Sequence, residues 1–374
     1  MASPLIDAVH DALETVQDPE LRKPITELGM VKSVEADDDG ALTVVVLLTI
    51  AGCPLRETIT GDVTRAVEHI DGVTSVNVVL DVMTPEQRQS LKDQLKGSGR
   101  QGIPFNEEDS LTKVYAVASG KGGVGKSSVT VNLACSMAAS GLKVGIIDAD
   151  VYGFSVPRLM GIEQAPTRVD EMILPPVAYG VKVISIGMFV TGNQPVAWRG
   201  PMLHRALEQF LTDVYFGDLD VLLLDLPPGT GDVAISVAQL LPGSQLLVVT
   251  TPQGAAADVA ERAGAMALQT GQHVAGVIEN MSHLVLPDGT SMEIFGSGGG
   301  ETLARRLSTT MQEDVPLLGS IPLEVALREG GDSGSPVVVQ DAGNPASQAL
   351  NEIAGSLIQQ PRGLAGRSLG VSPK

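Results

Sequence analysis

Residues Ser119–Ser128 read SGKGGVGKSS, and within them Gly120, Gly125, Lys126 and Ser127 fit the pattern G-x-x-x-x-G-K-[ST]. Few short stretches restrict a fold so strongly. Glycines at this spacing let the backbone wrap a phosphate with its N–H groups pointing inward. The lysine then neutralises the β and γ oxygens, and the adjoining hydroxyl is offered to Mg²⁺. The loop has this use between a strand and a helix whose positive end faces the anion. Val114–Ala118 before it is a short apolar run, and a helical pattern follows Ser127. The motif therefore stands where its chemistry needs it. Gly120, Lys121, Gly122, Gly123, Val124, Gly125, Lys126, Ser127 and Ser128 are the candidate nucleotide-binding residues. A plain Gly-rich turn is the bland alternative.

The surroundings extend the pattern. Apolar runs recur at Val114–Ala118, Val144–Ile147, Val181–Ile186, Val221–Leu224, Leu246–Thr250 and Val274–Ile278, with helical patterns between several of them. Strands alternating with helices predict an α/β fold, a mostly parallel sheet with helices on both faces. Only 3% of the 374 residues are aromatic, so the core must rest on Val, Ile, Leu, Ala and Met, as buried parallel strands prefer. Residues 1–86 read instead as a small α+β domain, with helical spacing over Pro4–Val16 and Leu55–Ile70 and strands at Ala41–Ile50 and Val73–Val82. Residues 87–110 read as part helix and part linker, 111–360 as the phosphate-loop domain, and 361–374 as a disordered tail.

Composition excludes several classes. Against 25 Lys and Arg stand 44 Asp and Glu, a formal charge of −19, which offers no broad surface for nucleic acid. No apolar run is long enough for a membrane span, and the acidic start lacks the features of a signal peptide, so the expected compartment is the cytoplasm. Two cysteines, Cys53 and Cys135, cannot build a disulfide framework or a cluster held wholly by the cysteines of one chain. The Gly296–Gly300 run lacks the G-x-G-x-x-G frame and follows a polar turn, so it does not point to a dehydrogenase.

Ligands of parallel sheets sit at the carboxyl ends of the strands. Two of those ends are acidic: Asp148 and Asp150 close one run, and Asp225 closes another before Leu-Pro-Pro-Gly-Thr-Gly-Asp232. A strand-end carboxylate can hold Mg²⁺ directly or through water, and Asp225 fits the Walker B position. Each could instead be a strand-end cap. Asn280, at the end of Val277-Ile-Glu-Asn, could pair a base edge or close a turn.

The GKGGVGKS form resembles the deviant Walker A loop of the ParA/MinD/nitrogenase-iron-protein group of dimeric ATPases. That resemblance implies a nucleotide-dependent homodimer in which Lys121 reaches the partner's nucleotide. It also implies that Asp150 orients the attacking water, Asp148 supports the Mg²⁺ shell, Gly229–Asp232 senses the γ-phosphate, Asn280 meets the purine and Ile321–Glu324 closes over it. Lys121, Lys126 and Asp150 are thus the candidate catalytic residues, and Ser127, Asp148 and Asp225 the candidate Mg²⁺ residues. The segments Ala197–Met202, Asp225–Asp232, Glu279–Ser282, Ile294–Gly299 and Ile321–Glu324 narrow the resemblance to the Mrp/ApbC iron–sulfur cluster carriers, over about Leu111 to Ile358. The stretch around Ala51-Gly-Cys-Pro-Leu55 resembles the small SufT-like domain that commonly precedes that ATPase.

One departure matters. The family usually carries C-x-x-C after the Glu-Asn-Met-Ser segment, and two such pairs hold a bridging cluster across the dimer. Here His283–Glu293 contains no cysteine, and His283, Asp288 and Glu293 read as a polar hairpin turn rather than a metal site. Cys53, ahead of a helix start that favours thiolate, is the remaining candidate iron–sulfur ligand, against a small buried residue at a tight turn. Cys135 reads as core. Trp198 and Arg199 read as a packed corner or a contact with a partner. The resemblance implies an ATP-hydrolysing carrier that passes clusters to apo-proteins. The alternatives are an ATP-gated scaffold without its own cluster and a ParA/MinD-like spatial regulator. The regulator would need DNA or membrane contacts, which the net charge and the Gly/Ser/Pro tail do not supply.

Overall fold

The structure is a computed structural model, and it describes residues 4–50, 52–96, 102–107, 109–189, 200–286 and 288–360. The Trp198–Arg199 corner and the 361–374 tail lie outside those residues. The chain divides into two compact units. One comprises Met1–Gly102, Gln164–Val177 and Asp213–Gly217, and the other comprises Ile103–Glu163, Ala178–Thr212 and Asp218–Lys374.

The first unit is α+β. Strands Val31–Ala36 and Ala41–Leu48 pair antiparallel, and Ala41–Leu48 pairs parallel with Ser75–Val82. The antiparallel turn is set by Asp37, whose Oδ1 accepts from the Asp39 and Ala41 N–H groups, and by Gly40 at φ +79°. A parallel pair needs a crossover, and the helix Arg56–Val67 supplies it, burying Ile59, Val63 and Val67. The helix Pro85–Lys96 runs across the expected edge of the linker. The expected boundary at 110 also does not divide the packing cleanly. The hairpin Thr167–Val169 with Met172–Leu174 buries Val169, Met172 and Leu174 in the core of this unit. Thr167 Oγ1 donates to Glu20 Oε2 at 2.7 Å in the same core. A three-stranded sheet has little apolar face of its own, and these side chains complete it.

The second unit holds an eight-stranded sheet. Seven of its strands run Leu317–Ile321, His273–Asn280, Gln245–Thr250, Lys113–Ser119, Val221–Asp225, Val144–Asp148 and Val181–Ser185 in spatial order. Every pairing among these seven is parallel. The six apolar runs of the sequence are all strands, and Leu317–Ile321 adds a seventh. The register aligns Asp225 with Val117 on one side and Asp148 on the other, which gathers the strand ends beneath the glycine loop.

The helix Lys126–Ala139 leaves that loop and is buried along most of its length, Cys135 included. The final helix, Pro345–Gln359, starts with Asn344 capping the Ala346 N–H at 2.9 Å. At its other end Lys113 Nζ donates to the carbonyls of Leu357, Ile358 and Gln360 at 3.0, 3.0 and 2.5 Å. A cation thus meets the negative end of the helix and fixes it to the first strand of the sheet.

Candidate nucleotide site

The strand Lys113–Ser119 delivers the loop and the helix Lys126–Ala139 receives it. Gly123 and Gly125 stand at φ +80° and +79°, a left-handed turn that side chains resist. Gly125 also needs its bare Cα for space, because a Cβ there would come 2.3 Å from Asn280 Nδ2. The loop lines a cleft of about 340 Å³ together with Asp150, Gly153, Ser155, Leu159 and Pro228. A cleft of that size suits a small-molecule ligand.

At its floor lies a buried charge cluster. Lys126 Nζ sits 2.7 Å from Asp225 Oδ1, and the two side chains are 6% and 0% exposed. Ser127 Oγ donates to Asp225 Oδ2 at 2.6 Å, and Thr130 Oγ1 donates to Asp225 Oδ1 at 2.8 Å. The sequence reading missed Thr130. It stands one helical turn after Lys126, so its hydroxyl meets the same carboxylate. The lysine that would neutralise phosphate here neutralises a strand-end aspartate. The hydroxyl that would meet a metal meets that same aspartate. A hydroxyl and a carboxylate side by side are hard oxygen donors, and this set fits Mg²⁺.

Asp148, the expected support of the metal shell, has both oxygens hydrogen-bonded within the protein. Its Oδ1 accepts from the Asp150 N–H, and its Oδ2 accepts from the Ser155 and Val156 N–H groups and from Ser185 Oγ, all within 3.2 Å. Both oxygens are spent on shaping the turn that carries Asp150. Burial pushes the Asp148 carboxyl above the usual carboxylate range, and the Asp225 carboxylate pushes the same way. Asp150 itself lines the cleft, with Oδ1 accepting from the Tyr152 and Gly153 N–H groups.

Asn280 is hydrogen-bonded to the phosphate loop. Its Nδ2 donates to the Val124 carbonyl at 2.9 Å from behind the phosphate loop, and its buried Oδ1 has no partner. Lys121 Nζ donates to Gln253 Oε1 at 2.7 Å within the same chain. Ile321–Glu324 is tied to the Ser282–His283 segment, through Ser282 N–H to the Ile321 carbonyl and Leu323 N–H to the His283 carbonyl. Pro228 reaches the cleft wall, and Gly229 N–H binds the Ser119 carbonyl at 2.8 Å.

The cysteines stand elsewhere. Cys53 is buried in the first unit, and the thiolate argument from the helix start does not hold there. Burial pushes the Cys53 thiol up, and the Glu20 and Asp18 carboxylates push it further. A Leu55 backbone hydrogen bond and Arg56 pull the other way, and the net direction is still up. Cys135 is pushed up to about 12 by burial. His283–Glu293 forms the hairpin the sequence suggested, with Leu284–Val285 against Ser291–Met292 and Asp288 Oδ1 accepting from Thr290 N and Oγ1. Among the described residues, no three His, Cys, Asp or Glu side chains form a group able to hold a metal. No helix among them is long and apolar enough to cross a membrane.

Comparison with known proteins agrees with this geometry. Residues 110–358 match the model of the NUBPL iron-transfer P-loop NTPase family, and residues 6–78 match that of an iron-sulfur cluster assembly protein. An iron-sulfur cluster carrier protein of Mycobacterium tuberculosis is 62% identical over 98% of this chain and 96% of its own. One from Bacillus subtilis is 42% identical over 85% and 88%. A nucleotide-binding protein from Archaeoglobus fulgidus, solved in complex with ADP, is 36% identical and covers 65% of this chain and 93% of its own, with a TM-score of 0.55. The phosphate loop, its buried aspartate partner and these relatives together place the chain in the NUBPL iron-transfer P-loop NTPase family, behind an N-terminal iron–sulfur cluster assembly domain.

Proposed function

We propose that this chain binds ATP with Mg²⁺, hydrolyses it slowly as a homodimer, and carries iron–sulfur clusters to apo-proteins in the cytoplasm. The Lys126–Ser127–Asp225 cluster beneath the glycine loop is the observation that carries the nucleotide part. Phosphate would draw Lys126 off Asp225, and Ser127 and Asp225 are the residues that would hold Mg²⁺. Bound Mg²⁺ neutralises charge on the phosphate oxygens. Asp150 lines the cleft, which supports a role for it in orienting the water, and Lys121 is the candidate cation for phosphate charge across a dimer. The cargo part follows the names of the relatives.

A second reading is favoured by one observation. Cys53 is buried and its thiol is pushed up, so no exposed thiolate stands ready for iron. On that reading the chain is an ATP-gated scaffold. Anaerobic reconstitution of wild type and Cys53→Ser, with iron and acid-labile sulfide counted per chain beside ATP turnover, separates the two. Iron in wild type and none in the variant supports a carrier that uses Cys53. Turnover without iron in either supports the scaffold. Asp150→Ala in the same series should keep nucleotide binding and lose turnover, and unchanged turnover would remove Asp150 from the mechanism.

A further inference from the structure

One residue outside the phosphate contacts is joined to the loop by a single hydrogen bond. The strands Lys113–Ser119 and Gln245–Thr250 lie side by side, with Val249 opposite Ser119. Their following loops emerge together at the carboxyl edge, so Lys121 and Gln253 meet from distant parts of the sequence. The Lys121 Nζ to Gln253 Oε1 distance is 2.7 Å, and both side chains are half-buried. Gln253 precedes the helix Gly254–Thr270 without capping it through its side chain. That side chain is turned to Lys121 instead.

The loop behind Gln253 has little room to move. Thr251 and Pro252 are buried. A Cβ on Gly299 would stand 2.4 Å from the Pro252 carbonyl oxygen and 2.8 Å from that of Thr251, so the start of the helix Gly299–Met311 is pressed against this loop. That helix start is itself fixed, because the Gly300 N–H donates to Glu279 Oε2 at 2.6 Å. The backbone that carries Gln253 is therefore packed in place beside Lys121.

We propose that Gln253 is a positioning residue that holds Lys121 on its own chain in the nucleotide-free state. This rests on the nucleotide reading above. An amide oxygen carries only a partial charge, whereas phosphate oxygens carry full negative charge and make the stronger charge-assisted bond. Lysine held by Gln253 is thus kept ordered, yet is released to phosphate when nucleotide and the reactive geometry are present. A neutral acceptor at position 253 permits that exchange, and a carboxylate there would oppose it.

The test uses the full chain as wild type, Gln253→Glu and Gln253→Met. The first readout is the rate at which an acetylating reagent labels Lys121 in the nucleotide-free protein, measured by mass spectrometry. The second is ATP turnover at low and high salt, beside the Kd of a fluorescent ATP analogue. Labelling of Lys121 is expected to rise severalfold in Gln253→Met and to fall in Gln253→Glu. Turnover in Gln253→Glu is expected to drop roughly tenfold at low salt and to recover partly at high salt, since screening weakens the new ion pair. Kd should stay within about twofold, because the amide touches no phosphate-cradling group other than Lys121. Equal Lys121 labelling in all three proteins, or wild-type turnover in Gln253→Glu, would overturn the assignment and leave the nucleotide reading standing. A wild-type chain that binds no nucleotide would overturn both.

Discussion

Cutting the Lys126–Asp225 pair in the nucleotide-free chain should cost more than removing the pair entirely. The two side chains are 6% and 0% exposed, so water cannot replace a lost partner. Removing one member of such a pair typically costs about 3–5 kcal/mol, mostly from the charge left behind. The two halves are not equivalent. With Lys126→Met, Asp225 keeps hydroxyl donors from Ser127 and Thr130, at 2.6 and 2.8 Å, and the loss should lie near the low end, about 3 kcal/mol. With Asp225→Asn, Lys126 keeps a 3.4 Å contact to Ser127 Oγ, and the loss should lie nearer 5 kcal/mol. The double variant strands no charge and should lose less than either single variant, so it should fall short of the sum by at least about 5 kcal/mol. Urea unfolding of all four proteins without nucleotide measures the cycle. Losses that add within about 0.5 kcal/mol would show that the two groups do not act as a buried pair, and the proposed exchange of aspartate for phosphate would lose its basis.

Gly125→Ala and Gly123→Ala form a contrasting pair. Both impose a left-handed φ at about 1–2 kcal/mol, but only position 125 also drives a Cβ into Asn280 and breaks its bond to Val124, adding about 1 kcal/mol. Nucleotide Kd should therefore weaken several-fold more for Gly125→Ala, and equal losses would deny Asn280 its role behind the loop. Both thiols should resist iodoacetamide at pH 8 in the native chain, because burial holds them protonated. For Cys135 the folded-state value is the raised one. The stability linked to its proton is therefore complete below pH 9.0 and is lost as pH climbs toward about 12. Rapid alkylation of Cys53 would contradict its burial.

What the sequence made legible was local. The phosphate loop is one continuous segment with its own spacing, and Asp225 and Asp148 end apolar runs, so strand and carboxylate could be read together. Thr130 and Gln253 were not legible in the same way. Their partners are a carboxylate and an ammonium on other elements, which only strand order brings near. Asn280 was visible as a strand-end amide, but not the side of the loop it would occupy. Thr167–Leu174 gave no sign that it belongs to the core of the first unit, because nothing local distinguishes a hairpin that packs at home from one that packs on another core. Cys53 misled for a related reason. A helix start lowers a thiol only when burial and neighbouring carboxylates do not oppose it.

The strand order also has a consequence for the order of events during synthesis. Lys113–Ser119 is the first strand of its sheet to leave the ribosome, yet both of its neighbours, Val221–Asp225 and Gln245–Thr250, come far later in the chain. At about 5–20 residues per second, the phosphate loop waits several seconds or more for Asp225 to emerge. It waits longer still for Asn280 and for the helix whose end Lys113 holds. A nascent chain therefore carries the loop long before it carries the site. The carboxylate that pairs with the loop lysine therefore joins it only after more than half of the chain has been made.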